Sequence, residues 1–418
     1  MNTNWAGNVT FGAQSVLRPR SVDQVRAIVA GTERVRAIGT RHSFNTIADT
    51  VGSLVSLALL PPVVDIDAEN RTARVSAGLR YGELGPALRD TGLALPNTGS
   101  LPHISVAGAV ATGTHGSGAR NPSLASSVRS LTLVTATGDL LTVDRATRPD
   151  DFDGFVIALG RLGIVVELVL ELVPTFQVAQ TVVERVDDAV VGEQLASLLA
   201  AAYSVSVFTD WAGRGGSDVW VKRKVGDAGE WGGEPLWGGR VADGPRHPIR
   251  GMPVEHATAQ LDAPGPWDER LPHFRLDHTP SSGDELQSEY FVAAPHAPAV
   301  WDVLATMHPV ISPVLQVSEV RSVAAEPLWL SPTRGEAAVT FHFTWTSDAA
   351  AVRGVIDALE ANLAPFDARP HWGKLFGIDP ATLAGLYPRL SEFAALVDHL
   401  DPDRKFANDL VDGWLGLR

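Results

Sequence analysis

The chain has 418 residues, 45 % of them apolar, which is enough for two or three domains with a sizeable core. It contains no cysteine, which excludes disulfides, iron–sulfur ligation, zinc thiolates and any cofactor link through sulfur. The net charge of −14, without a dense run of Lys or Arg, argues against nucleic-acid binding, and no apolar stretch reaches the roughly 18 residues of a membrane span.

In chain order, the first residues lack a basic segment followed by an apolar one, so a soluble cytoplasmic protein is expected. Ser21-Val-Asp-Gln24 has capping-box spacing and opens a helix through about Val29. Arg34–Ile38 reads as a strand ending at Gly39, and Leu54–Leu57 and Arg74–Ala77 as further strands. Tyr81–Arg89 reads as a helix with Pro86 inside it. Ser130–Ala136 and Leu140–Val143 flank Thr137-Gly138-Asp139 as a hairpin, and Ile164–Val173 is a β-rich run closed by Pro174. This alternation sets off residues 1–175 as a first domain.

Residues 176–370 differ in texture and form a second domain. From about Trp211 to Pro266 the chain is rich in Gly, Pro and Trp, which predicts a long, partly ordered excursion and not a core element. In Gly335–Thr346, Val339, Phe341, Phe343 and Trp345 alternate with Thr340, His342, Thr344 and Thr346. This period-two strand buries one face and turns a polar face to solvent or to a site. Residues 371–418 carry helical patterns over Pro380–Leu386 and Leu390–Leu400, then a tail, Leu400–Asn408, expected to return to the first domain.

Two segments carry chemical signals. Gly39-Thr-Arg-His-Ser-Phe-Asn45 follows a strand, a way to present backbone N–H groups to phosphate, although a Gly turn before a histidine also arises by chance. Leu95 to Gly118 is filled with small residues and lacks Asp, Glu, Lys and Arg. Such a segment lets backbone approach a flat ligand closely, or is simply a turn network. No G-x-G-x-x-G follows a strand, and Gly113-Thr-His-Gly-Ser-Gly118 has different spacing, so any dinucleotide is held by something other than a Rossmann fold.

Taken together, the Gly-x-x-His-Ser loop at 39–43 and Ser100-Leu-Pro-His-Ile-Ser-Val-Ala-Gly108 with Ala111-Thr-Gly-Thr-His-Gly116 resemble the vanillyl-alcohol-oxidase type of FAD-binding fold. Within it they are most similar to the alditol oxidases. Phe208-Thr-Asp-Trp211, Leu271-Pro-His-Phe274, Arg369-Pro-His-Trp-Gly-Lys374 and Lys405-Phe-Ala-Asn408 extend the resemblance along nearly the whole chain. It implies an α+β architecture: a PCMH-type FAD-binding domain (1–175), an antiparallel-sheet substrate-binding domain (176–370), and a segment (371–418) returning to the first. It implies FAD carried covalently on His42. Gly39, Thr40, Arg41 and Ser43, with Phe44, would wrap the pyrophosphate. Ser100 and the stretch Ser105, Gly108, Ala109, Val110, Ala111 and Gly113 would meet the cofactor from its other side. Val165 would meet the adenine, and His371 and Asn408 complete the set. One departure is Arg41, where the family often has Gly; its charge would neutralise the pyrophosphate or face solvent.

The resemblance also assigns a substrate side. Glu319 and Arg321 are two apart on a strand and share a face; blindly they read as a surface ion pair. By resemblance, Ser100, Glu319, Arg321, Thr344 and Lys374 bind a polyol, whose adjacent hydroxyls need both donors and acceptors. The expected reaction is hydride transfer from a terminal carbinol carbon to flavin N5, giving an aldose, with dioxygen reduced to hydrogen peroxide. Lys374 is the expected base, its pKa depressed by burial and Arg321, while Arg321 stabilises the developing alkoxide. Gly99 would leave room for dioxygen, or merely serve the turn. A sugar-1,4-lactone oxidase or dehydrogenase of the same fold is the nearest alternative, and a flavin-holding polyol-binding protein without turnover is another. No metal, nucleic-acid or membrane partner is expected, and a monomer is.

Overall fold

The computed structural model describes residues 3–213, 215–227, 231–278 and 281–417. Its first part builds on two small sheets. β1 (Ser15–Leu17), β2 (Val35–Ile38) and β3 (Ser53–Ser56) form a parallel sheet in the order β1-β3-β2. α1 (Val22–Gly31) connects β1 to β2; the Ser21 hydroxyl accepts from the Gln24 amide at 3.2 Å, while Gln24 reaches back to the Arg20 amide, one residue earlier than a strict capping box. β4 (Val64–Asp67), β5 (Thr72–Ser76), β6 (Val128–Val134), β7 (Leu140–Asp144) and β8 (Ile164–Glu171) form an antiparallel sheet in the order β4-β5-β8-β6-β7. β6 and β7 are the expected hairpin, and the expected helix with Pro86 inside is α2 (Tyr81–Leu88).

The second part is one large antiparallel sheet with helices on one face. β9 (Gln177–Val186), β10 (Ser204–Thr209), β11 (Ser217–Lys224), β12 (Leu286–Ala293), β13 (Leu315–Val323) and β14 (Ala338–Trp345) lie in the order β9-β11-β10-β13-β14-β12. Short strands at Arg240–Val241 and Gly265–Pro266 pair with β9, and Arg369–Pro370 with β12. Alternate residues such as Val205, Val207, Val320, Phe341 and Phe343 pack against buried positions of the helices Asp188–Leu199, Ala297–Thr306 and Ala349–Leu363. Period two then sends Glu289, Glu319, Arg321, His342 and Thr344 to the other face.

That face settles one open alternative and corrects one expectation. β14 is buried along its whole length, so the polar side of its alternation meets the site and not solvent. The supposed excursion begins too early: β11 lies between β9 and β10, and places the buried Trp220 and Lys222 in the middle of the sheet. Flanking glycines mask its alternation. Within the same stretch, residues 214 and 228–230 lie outside the described residues, as do residues 1 and 2 of the opening segment.

The chain's last third comes back to its first. The Val35 amide donates to the Lys405 carbonyl at 2.9 Å, and Arg36 donates to the Phe406 carbonyl at 2.7 Å. Asn408 donates to the carbonyls of Thr46 and Asp49 and caps the helix Asp409–Leu415. The buried Arg161 pairs with Asp401 and Asp412 at 3.0 and 2.6 Å.

Candidate active site

A cavity of about 310 Å³ runs between the two parts, in the size range of small-molecule and cofactor sites. One end is walled by Arg36, Ala58, Gly160, Gly163 and Val165, the other by Glu289, Glu319, Arg321, His342 and Lys374. The loop from Gly39 to Asn45 forms one side. Asn45 donates to the carbonyls of Trp372 and Lys374, both at 2.8 Å, and Phe44 to that of Gly373, so this loop also fixes the backbone bearing Lys374. Arg41 sits at φ +67, where glycine is at ease and a side chain is not, which explains the glycine the sequence pattern leads one to expect there. Its guanidinium donates to the Thr3 carbonyl at 3.0 Å.

His42 stacks on Trp5 with centroids 5.4 Å apart, and its Nδ1 lies 3.0 Å from Thr40 Oγ1. Burial, then His103 and Arg41, lower its pKa to about 4, so the imidazole is neutral at pH 7. Opposite stands the six-residue helix Val106–Ala111 with Ser105 before it. A Cβ at Gly39 or Gly108 would come within 2.6 or 2.8 Å of Ser105 Oγ, so these glycines let the Ser105 hydroxyl keep its place between loop and helix.

The cavity brings together Gly39, Thr40, Arg41, His42, Ser43, Phe44, Gly99 and Ser100 with Ser105, Gly108, Ala109, Ala111, Val165 and His371, and with all of the expected substrate-side residues. Three expected cofactor residues stand off its wall. Val110 points into the apolar core, Gly113 abuts Ile157 and Pro332, and Asn408 spends its side chain on Thr46, Asp49 and the helix it caps. Helix periodicity accounts for the first: the consecutive positions 108–111 span about one full turn and cannot all face the same ligand.

At the polar end, strand register sets Glu289, His342 and Glu319 in one row across β12, β14 and β13. Arg321 Nη2 lies 2.7 Å from Glu289 Oε1, its Nε 3.6 Å from Glu319 Oε1, and its Nη1 3.4 Å from Ser100 Oγ. Lys374 Nζ lies 2.5 Å from Glu289 Oε2 and 2.7 Å from His342 Nδ1; His342 Nε2 meets Thr344 Oγ1 at 3.1 Å. His273 Nε2 meets Glu319 Oε1 at 2.9 Å. Two carboxylates face two cations, which suits an uncharged, hydroxyl-rich ligand.

Titration follows from this arrangement. Burial opposes ionising Glu289, but Lys374 and Arg321 overrule it and hold the carboxyl well below its usual range. Glu319 is lowered likewise, chiefly by Arg321 and then His273. Burial, then Lys374, lowers His342 to about 4. Burial and Arg321 lower Lys374, with Glu289 opposing.

Glu289, His115, His273 and His342 carried no assigned role in the sequence reading. The one available signal was Glu289 as the lone charge in Leu286–Ala293. His115, Glu289 and His371 are close enough to hold a cation by distance alone. Both Glu289 oxygens are already engaged by Arg321 and Lys374, so a third cation there would meet two of its own sign.

The first part of the chain matches the FAD binding domain model over residues 13–144, and the last part the D-arabinono-1,4-lactone oxidase model over 291–414. An alditol oxidase of a Streptomyces species is 46 % identical over 98 % of this chain and 99 % of its own. The chain belongs to the alditol oxidase family. An L-gulono-1,4-lactone dehydrogenase of Mycobacterium tuberculosis is a more distant relative, 30 % identical over 99 % of both chains. Among solved structures, a cholesterol oxidase from B. sterolicum superposes with TM-score 0.79 at 13 % identity, covering 99 % of this chain and 96 % of that one. A xylooligosaccharide oxidase from Myceliophthora thermophila superposes with TM-score 0.70 at 15 % identity, covering 97 % and 93 %. These last two share the fold, and together with the FAD binding domain match over residues 13–144 they give the vanillyl-alcohol-oxidase type. Like its family, the protein is an FAD-dependent oxidoreductase acting on CH–OH. Its residues fit that group: Gly39 and Gly108 bring no side-chain bulk to the cavity wall, and Arg36 Nε and Arg321 Nε are buried in lining residues without hydrogen-bond partners among the described residues. Among the described residues no helix is long and apolar enough to cross a membrane.

Proposed function

We propose that the protein oxidises a terminal hydroxyl of a polyol such as xylitol or sorbitol to the aldose, with dioxygen as acceptor. The observation carrying this reading is the balanced cluster of Glu289, Glu319, Arg321 and Lys374 at one end of a cavity whose other walls fit FAD. FAD, when bound, supplies the hydride acceptor and hands the electrons on to dioxygen, yielding hydrogen peroxide. Residues 1–175 and 371–418 hold it and 176–370 present the substrate, a division supported by the tail's hydrogen bonds to β2.

His42 is the covalent attachment point, its neutral imidazole being the form with a free ring nitrogen. Glu319 accepts from two polyol hydroxyls, Ser100 and Thr344 donate or accept, and Arg321 donates to the oxygen that becomes the carbonyl. Lys374 takes that hydroxyl's proton; Glu289, 2.5 Å away, steadies the ammonium formed. A peroxide assay comparing xylitol with galactonolactone tests the substrate: a lactone preference would move the protein to the aldonolactone oxidoreductases. Yellow colour remaining in the acid-precipitated pellet is the expected sign of the covalent flavin; colour left in the supernatant would remove that role from His42.

Gly99 has no positive φ, and a Cβ there would meet Ile104 Cδ1, Thr114 Cγ2 and the His115 carbonyl at an ordinary 3.6–3.8 Å. The turn therefore tolerates a side chain, which supports a role for the empty volume in dioxygen access. Gly99→Val is expected to slow reoxidation in air while leaving anaerobic reduction by xylitol near the parent rate. Equal reoxidation rates would count against it.

A further inference from the structure

Behind Glu319 lies a buried group that the reaction does not touch. Lys222, on β11, is 1 % exposed and has no carboxylate within ion-pair distance among the described residues. Burial lowers its pKa to about 7, and its Nζ lies within hydrogen-bond reach of three groups: the Leu271 carbonyl, the Pro272 carbonyl at 3.3 Å and His273 Nδ1 at 3.1 Å. The ionised Glu319 Oε1, 2.9 Å from Nε2, can only accept, so the neutral His273 carries its proton on Nε2 and leaves Nδ1 as the acceptor that Lys222 Nζ meets. Burial lowers His273 to about 4, so it is neutral at working pH. Phe208 and Trp220 hold the ring edge-on, both with centroids 5.4 Å away. The same residue's backbone amide donates to the Ser100 carbonyl at 3.1 Å.

We propose that Lys222, acting through His273, is a positioning residue that fixes the tautomer presented to Glu319 and so sets the protein's affinity for polyols with several hydroxyls. With one Glu319 oxygen held by His273, the other is left to the substrate as an acceptor. Lys222 thereby also anchors the 271–273 backbone on which Ser100 hangs. The proposal rests on Glu319 binding hydroxyls remote from the reacting carbon.

The test uses the flavin-loaded protein. Lys222→Met and His273→Phe are expected to raise KM for xylitol about tenfold, the usual scale for losing a hydrogen bond to a buried charge, with kcat near that of the parent. KM for 1,2-propanediol, which lacks the remote hydroxyls, should not move. His273→Gln keeps an N–H directed at Glu319 and should recover most of the xylitol affinity. A fall in kcat at constant KM, equal KM changes for both substrates, or no recovery with Gln would overturn the proposal. Histidine ¹⁵N NMR of the unmutated protein needs no variant to fold: His273 must read as the Nε2–H tautomer, and the other tautomer or an imidazolium overturns the relay. If that tautomer holds while no polyol gives peroxide, the substrate reading fails and the positioning of Glu319 stands.

Discussion

Replacing Lys374 with Met is expected to slow anaerobic flavin reduction by xylitol by at least about a hundredfold, the lower end of what a positioned general base contributes. Among the described residues the ammonium or amine at this position has two partners, Glu289 Oε2 at 2.5 Å and His342 Nδ1 at 2.7 Å, and it faces the cavity. Burial, reinforced by Arg321, brings its pKa below the ordinary 10.5, which enlarges the neutral fraction able to accept a proton. The rate of reduction should therefore rise with pH until it passes that lowered value and then level off. Lys374→Met should be slow and lack this rise. Stopped-flow absorbance at the oxidised-flavin band measures both. A variant reducing at near-normal rate would transfer the base role elsewhere.

The second large effect concerns stability. Glu289→Gln preserves shape and removes the one charge that both Arg321 and Lys374 share, leaving two buried cations facing each other across a neutral amide. Breaking a buried pair in this way costs about 3–5 kcal/mol, and here two pairs break at once. Chemical denaturation should show the loss. Its pH dependence has a definite sign. Glu289 is held well below its ordinary 4.5 in the folded protein, so its contribution is complete above 4.5 and is lost as pH falls through the depressed folded value. The variant should accordingly differ most from the parent near neutrality and least in acid. A neutral-pH stability equal to the parent's would mean that Arg321 and Lys374 find other compensation.

The parts of the architecture that declare themselves in the sequence are those ruled by local physics. Ser21 before a helix, the Thr137-Gly138-Asp139 turn and the alternation in Val339–Trp345 each encode their geometry in a few neighbouring residues. Small residues at 39 and 105–113 announce a close approach, although only three-dimensional packing tells which of them face the cavity; Val110 and Gly113 turn elsewhere. The tail at Asn408 was legible as returning, but its side chain secures backbone and does not reach the cavity. What stayed hidden is pairing across the sheet. Glu289, His342 and Glu319 are up to 53 positions apart and meet only because β12, β14 and β13 adopt one register. Lys222 was lost because glycine-rich flanks disguise β11 as loop, and a lysine in a loop gives no hint of burial.

The contacts of β2 with Lys405 and Phe406 impose an order in time as well as in space. Arg36 lines the cavity, yet its guanidinium is held by a carbonyl 370 residues further along. Its other acceptors, among them the carbonyls of Ile47 and Leu159, belong to the first part of the chain, so while a ribosome is still adding the middle, the Phe406 contact is missing and the edge of β2 is uncovered. An extension or deletion near residue 406 is expected to surface first as poor cofactor incorporation, before it touches any residue that meets the substrate.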